Sequence, residues 1–540
     1  MLNNPRPSGY SACMAQAEQA VHWADLYAEQ VIREKGDKEL YVAASGITPS
    51  GTVHIGNFRE IISTELVVRA LRERGRQVRF IYSWDDYDVF RKVPKNMPQR
   101  DVLEGYLRQP ITRVPDPFGK EESYARHNER EIEELLPVVG IAPEYIYQFR
   151  EYRASRYAEG IRTALERREE LRAILDEHRT EALAGEWWPI SIFCTRCGRD
   201  TTAVRGWDGQ YGVSYACKAC KNEEALDLRS TGAVKLLWRV DWPMRWAHQR
   251  VDFEPAGKDH HSEGGSFDTG RMIVKQVYGQ EAPVSFQYDF IGIKGRTGKI
   301  SSSSGEVVSL RDVLEIYQPE VVRYLFASSR PNTEFAISFD LDVLKIYEDY
   351  DRCERIYFGA EEAPENRAAK EKRTYQLSQV SQVPTSPPTQ IGFRHLCNLV
   401  CVYEGDSERV LGALDLATSP EDLAKVRARA VCAWNWVQKF APESFRFRLR
   451  DPGSPPPAFP EAELRALRLL AAEVGEKLAG HDEKSLAEAI YRIAGEAELE
   501  PKEFFKVVYR ALIQKDQGPR LAGFLLVLGR ERVLQLLGSF

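Results

Sequence analysis

The sequence predicts an α/β fold: a doubly wound parallel-sheet domain, split by a helical insertion with paired cysteines and followed by an all-helical C-terminal domain. Three observations predict it. Apolar runs alternate with amphipathic stretches near the front of the chain, the pattern of a βαβ unit. Four cysteines fall in two tight pairs in mid-chain. Helical periodicity dominates the last third.

Taken in order, residues 14–36 carry helical spacing (Ala20, Trp23, Ala24, Tyr27, Val31) and stop at Gly36. A short apolar run over 40–44 ends in Ser45-Gly46, and a turn-rich segment, Thr48-Pro49-Ser50-Gly51, follows. Ile55, Phe58, Ile62, Leu66 and Ala70 mark the next helix, and 78–82 reads as a second strand. We expect residues 1–120 to form the first half of the sheet domain. Residues 121–231 read as an insertion, mostly helical to about 184, with Tyr157, Ile161, Leu165 and Leu175 as its apolar stripe. The cysteine ribbon within it spans 194–220. Residues 232–345 should complete the sheet, with apolar runs around Leu236, Val284 and Phe290. The Pro-, Ser- and Gln-rich stretch 374–390 reads as an exposed loop or linker inside a helical domain of 346–540.

Composition narrows the function. With 540 residues, 74 Lys plus Arg and 80 Asp plus Glu, the net charge is −6, so any nucleic-acid partner must meet local basic surface. No run reaches the ~18 apolar residues of a membrane span, and Glu18 and Asp25 interrupt any leader-like stretch. Cys13, Cys353, Cys397, Cys401 and Cys432 are scattered, which argues against a disulfide framework and for a reducing, cytoplasmic setting. We expect a monomer with no membrane and no DNA partner.

Three segments carry nucleotide chemistry. Ser50, Gly51, His54, Gly56 and Asn57 sit where a strand gives way to a helix, and a helix N-terminus presents free N–H groups that favour phosphate. His54 can donate to a phosphoryl oxygen, although a histidine at a helix start is more often a cap. Downstream, Lys299-Ile300-Ser301-Ser302-Ser303-Ser304-Gly305 follows a Gly-rich segment with Lys294 and Arg296. Lys299 can neutralise a phosphate while Ser301 and Ser303 donate hydrogen bonds; a plain Gly/Ser surface loop has the same composition. Between them, Gly257-Lys258-Asp259-His260 offers a carboxylate suited to ribose hydroxyls.

In this order the segments resemble the catalytic motifs and ribose-binding segment of class I aminoacyl-tRNA synthetases. Ser45-Gly46-Ile47-Thr48-Pro49-Ser50-Gly51, Val240-Asp241-Trp242-Pro243-Met244-Arg245-Trp246, Glu254-Pro255-Ala256-Gly257 and Gly264-Gly265-Ser266-Phe267 narrow the resemblance to the class I lysyl-tRNA synthetases. It implies a Rossmann-like catalytic domain that joins lysine to ATP, then passes the lysyl group to the terminal ribose of tRNA-Lys. It also implies ATP with Mg²⁺ as substrate, His54, Asn57, Lys299, Ser301 and Ser303 as catalytic, and Ser50, Gly51, His54, Gly56, Asn57, Gly257, Asp259 and Lys299 around the nucleotide. Lysine contacts are expected among Gly46, Thr48, Trp238, His260 and Tyr288, with His260 rather than its neighbour His261 facing the pocket. Two residues depart from the usual second loop: Ile300 replaces methionine, and Ser302 a second lysine, which shifts weight onto Lys299, with Lys294 and Arg296 as helpers. Alternatives are a class I synthetase for another amino acid, or a non-catalytic RNA-binding paralogue.

The cysteines are stronger on their own. Cys194-x2-Cys197 and Cys217-x2-Cys220, nineteen residues apart, have the spacing of a closed four-thiolate Zn²⁺ site, structural because no coordination position stays open. Arg196, Arg199, Lys218 and Lys221 beside them fit an acceptor arm or a solvated surface equally. Between 501 and 540 seven cations face three acids, with Phe504, Phe505, Tyr509 and Phe524 nearby. That is compatible with anticodon reading, which the resemblance assigns to this domain, and with the core of a helical bundle.

Overall fold

The computed structural model describes residues 21–95, 97–295 and 307–540. Helix α1 (Trp23–Lys35) leads into β1 (Leu40–Ile47), α2 (Ile55–Glu73) and β2 (Gln77–Trp84). β1 and β2 are parallel, Gly46 opposite Ser83. This is the βαβ unit expected from the apolar spacing. The helix expected over 14–36 starts at Trp23 behind the N-cap His22, and residues 14–20 lie outside the described ones.

The sheet extends both ways from β1. On one side β3 (Glu144–Tyr147) pairs in parallel with β2. The sequence pattern predicts a mostly helical stretch here. Four residues with one buried side chain leave too short an alternation to stand out among flanking helical charges. On the other side Phe253 bridges Ala43 and Val284, both in parallel, and β1 and residue 253 share the Ala44 N–H to Phe253 carbonyl bond at 2.8 Å.

Within the insertion, β4 (Ile190–Ile192), β5 (Thr202–Trp207), β6 (Gly212–Cys217), β7 (Glu223–Asp227) and β8 (Val234–Leu236) follow. β5, β6 and β7 form an antiparallel ribbon, and β8 pairs antiparallel with β4. The Leu236 run thus closes the insertion instead of resuming the parallel sheet. Beyond it, β9 (Ala256–Gly257) pairs with β10 (Gln287–Tyr288), and β11 (Ile291–Ile293) with β12 (Phe335–Ile337), all in parallel.

α2 is buried along nearly its whole length. Its Arg59, 2% exposed, donates to the carbonyls of Phe290, Arg330, Pro331 and Thr333, tying the helix to the segments around β11. After β12 the described residues form helices, from Asp342–Tyr357 to Leu521–Leu537. One continuous apolar core runs from α1 to that last helix. The 374–390 stretch is not a free linker at its start: 374–378 finish the helix Glu365–Ser378, Arg323 donates to the Leu377 carbonyl, and Arg69 to that of Gln379. Residues 385–387 are exposed as expected. No described helix is long and apolar enough to cross a membrane.

Candidate active site

Two adjoining cavities open at the C-terminal ends of the parallel strands, where α/β sheets place ligands. The larger, about 210 Å³, is lined by His54, Gly56, Asn57, Gly257, Asp259 and Tyr288 among others. The smaller, about 70 Å³, is lined by Ser83, Asp85, Trp238, Trp242, Arg245 and Glu254 among others. Gly46, Glu60 and His260 line both and so form the passage between them.

The wall of the larger cavity is built by a helix start. His54 is the N-cap of α2, and the Asn57 side-chain oxygen accepts from the His54 N–H at 3.2 Å. The histidine is therefore a cap and a cavity residue at once. A Cβ at Gly56 would lie 2.9 Å from the His54 ring, so glycine there leaves room for the imidazole. Lys299, Ser301 and Ser303, with Arg296, Ile300 and Ser302, lie outside the described residues. Before that segment Ile291 lines this cavity, and after it the Val308 carbonyl accepts from Ile55 N–H at 2.8 Å beside the His54–Ser309 bridge. Lys294 is ion-paired with Asp340 at 2.9 Å and Asp342 at 2.5 Å.

Three residues of the first turn line neither cavity. The Thr48 hydroxyl donates to Asp88 at 3.0 Å, Ser50 is exposed with its carbonyl accepting from Tyr124, and Gly51 is buried.

The smaller cavity is acidic: beside the expected lysine contacts Gly46, Trp238 and His260 it gathers Glu60, Asp85, Arg245 and Glu254, to which the sequence reading gives no role. Glu60 accepts from Ser45 Oγ at 2.9 Å, Gly46 N–H at 3.0 Å and the Tyr288 hydroxyl. Burial holds its carboxyl above the usual range against those donors. Asp85 is clamped by Arg245 (Oδ1 at 2.6 Å, Oδ2 at 3.3 Å), and Arg245 also faces Asp241 at 3.4 Å. Glu254 accepts from the indole N–H groups of Trp242 (3.0 Å) and Trp246 (2.6 Å), and burial pushes its carboxyl up to about 7. A Cβ at Gly46 would come within 2.7 Å of the Ser83 carbonyl oxygen, so the strand pair requires glycine at the passage.

Trp238, Trp242 and Arg245 come from one face of the helix Trp238–Gln249, at i, i+4 and i+7. Trp238 stacks on Trp242 at 5.1 Å, and the His260 ring stands 5.7 Å from Trp242 with Nδ1 2.6 Å from Ser266 Oγ. His261 turns away, 3.2 Å from Ser285 Oγ and packed on Phe267. Glu60 had one usable signal: it continues the His54, Asn57 spacing of three residues along α2.

Away from this site, the sulfurs of Cys194, Cys197, Cys217 and Cys220 lie within 4.8 Å of one another, with Cys194–Cys220 at 3.5 Å and Cys197–Cys217 at 3.7 Å. A tetrahedral ion ~2.3 Å from each thiolate sets sulfurs ~3.8 Å apart, so the four fit a metal. The Tyr215 hydroxyl sits 3.7 Å from Cys194 Sγ. In the C-terminal helices a groove of about 1080 Å³ is lined by Lys484, Tyr491, Lys502, Phe505, Lys506 and Arg520 among others. Phe504 and Phe524 are instead core residues, fully buried, while Arg510 and Lys515 pair with Asp516 and Glu443.

A family model described as tRNA synthetases class I (K) matches residues 21–381. A lysine–tRNA ligase of Borreliella burgdorferi is 53% identical over 519 residues, covering 96% of this chain and 99% of the relative. One from Treponema pallidum is 52% identical over 531 residues (98% and 100%), and one from Thermococcus kodakarensis 44% over 532 (96% and 99%).

Proposed function

The chain belongs to the class I (K) tRNA synthetases, and on that premise we propose how it ligates lysine to tRNA. Lysine occupies the smaller cavity, with Glu60 as the acceptor for its ε-ammonium and the stacked pair Trp238 and Trp242 enclosing its methylenes. ATP, with Mg²⁺, occupies the larger cavity, its ribose at Gly257 and Asp259 and its phosphates at the α2 N-terminus. The single observation that carries this reading is the passage at Gly46, Glu60 and His260, which lets a carboxylate seated in one cavity meet an α-phosphorus in the other.

The lysine carboxylate attacks that phosphorus in line and pyrophosphate leaves, so lysyl-adenylate forms without a protein nucleophile. Catalysis is then positioning together with charge stabilisation on the leaving group. His54 and Lys299 supply that stabilisation, with Ser301 and Ser303 as further donors and Asn57 holding the helix start. In the second step the 2′-hydroxyl of the terminal ribose of tRNA-Lys takes the lysyl group and AMP leaves. The four cysteine thiolates hold a structural Zn²⁺ that fastens the ribbon, which supports the fold and no step of the chemistry. The C-terminal groove seats the anticodon, with Tyr491 and Phe505 as base platforms beside its lysines.

Pyrophosphate exchange into ATP, run with each of the twenty amino acids, tests the assignment. Exchange should occur with lysine; exchange only with a different amino acid would refute it. Metal analysis should find about one Zn²⁺ per chain, and a metal-free folded preparation would contradict the ribbon assignment.

A further inference from the structure

The smaller cavity holds more acid than one guanidinium balances. Among its described lining residues the carboxylates are Glu60, Asp85 and Glu254, and the permanent cation is Arg245. Arg245 is spent on Asp85 and Asp241. Glu60 and Glu254 are served by neutral donors: a hydroxyl pair and a backbone N–H for one, two indoles for the other. An indole N–H only donates, so Trp242 and Trp246 orient both Glu254 oxygens as acceptors. Neutral donors lower the cost of a buried carboxylate but leave its charge uncancelled.

We propose that Glu254, with Glu60, is a specificity-determining residue for a cationic side chain, the two carboxylates sharing one ammonium in the smaller cavity. This rests on the placement of lysine proposed above. Facing Glu254 are Glu60 from α2, Asp85 from the end of β2, Arg245 from the Trp238–Gln249 helix, and His260. Without a cation between them two such carboxyls resist ionising together, because like charges in a dry site raise each other. Burial and the Glu60 charge both act in that direction on Glu254. The arriving ammonium supplies the missing cation, and the proton held by the pair leaves to bulk water. Lysine affinity therefore falls as pH drops below about 7, where a larger share of the sites carries the proton that must leave. A neutral side chain of the same length gains nothing from either carboxylate and meets two desolvated acids.

The test compares lysine with norleucine, its neutral isostere, in pyrophosphate exchange by wild type and Glu254→Gln. The lysine-to-norleucine ratio of kcat/KM should fall at least about tenfold in the variant, the scale of a lost charged hydrogen bond. ATP KM should be unchanged, and the rise of lysine KM below pH 7 should disappear. An unchanged ratio with an unchanged pH profile overturns the proposal. If the variant does not fold, calorimetry of wild type decides: lysine binding near pH 7, compared in buffers of different ionisation enthalpy, should release protons and norleucine should not. Lysine binding without net proton release overturns the proposal. Wild type that exchanges pyrophosphate without any lysine dependence would instead overturn the underlying reading of function.

Discussion

The two cavities share a passage but differ in what builds their walls. The larger joins a helix start and three glycines to the side chains of Asp259, Tyr288 and Asp289, so its polarity is part backbone N–H fixed by secondary structure and part side chain. The smaller is walled by charged and aromatic side chains from α2, the end of β2, the Trp238–Gln249 helix and residue 254, so its polarity is bought by burying acids. The proposed phosphate end of the larger cavity, at the start of α2, is made from local chain geometry. A site that selects one amino-acid side chain needs partners brought from afar.

This contrast can be broken by substitution. The largest effect is expected on the nucleotide side: His54→Ala and Lys299→Ala should each lower adenylation 10²-fold or more, the scale of removing a transition-state donor. Lysine KM should stay within about twofold, since the loss is in transition-state stabilisation and not in ground-state binding; unchanged rates in both variants would remove these roles. Next, Glu60→Gln should raise lysine KM roughly 10- to 100-fold, as for a lost hydrogen bond to a charge, while ATP KM holds. A matched rise in both constants would mean that the cavities do not divide the substrates. The smallest effect is expected at Lys294→Ala. Its ammonium is committed to Asp340 and Asp342 on the surface, where ion pairs contribute little. Exchange rates should change less than about threefold; a loss near that of Lys299→Ala would place Lys294 at the phosphates after all.

Legibility in the sequence follows the same division. Residues 40 to 84 show their strand, turn, helix and strand plainly because period and turn chemistry act within a few residues. The 144–147 strand is invisible beside them: its identity as a sheet member comes from pairing with β2 sixty residues earlier, not from its own pattern. The 374–390 stretch misleads for the converse reason. Its composition is that of a linker, yet Arg323 and Arg69 capture its first carbonyls and bury them.

By itself the sequence determined the βαβ opening, the histidine-bearing helix start, the paired cysteines with metal-ligand spacing and the helical last third, because each depends on neighbours a few residues away. Only the tertiary structure decided that Glu60, Asp85, Arg245 and Glu254 face one cavity, and that Thr48 and Lys294 are engaged by Asp88 and by Asp340 with Asp342. The charge state of a buried acid is set by what surrounds it in space, and that surrounding is assembled from segments the chain keeps far apart.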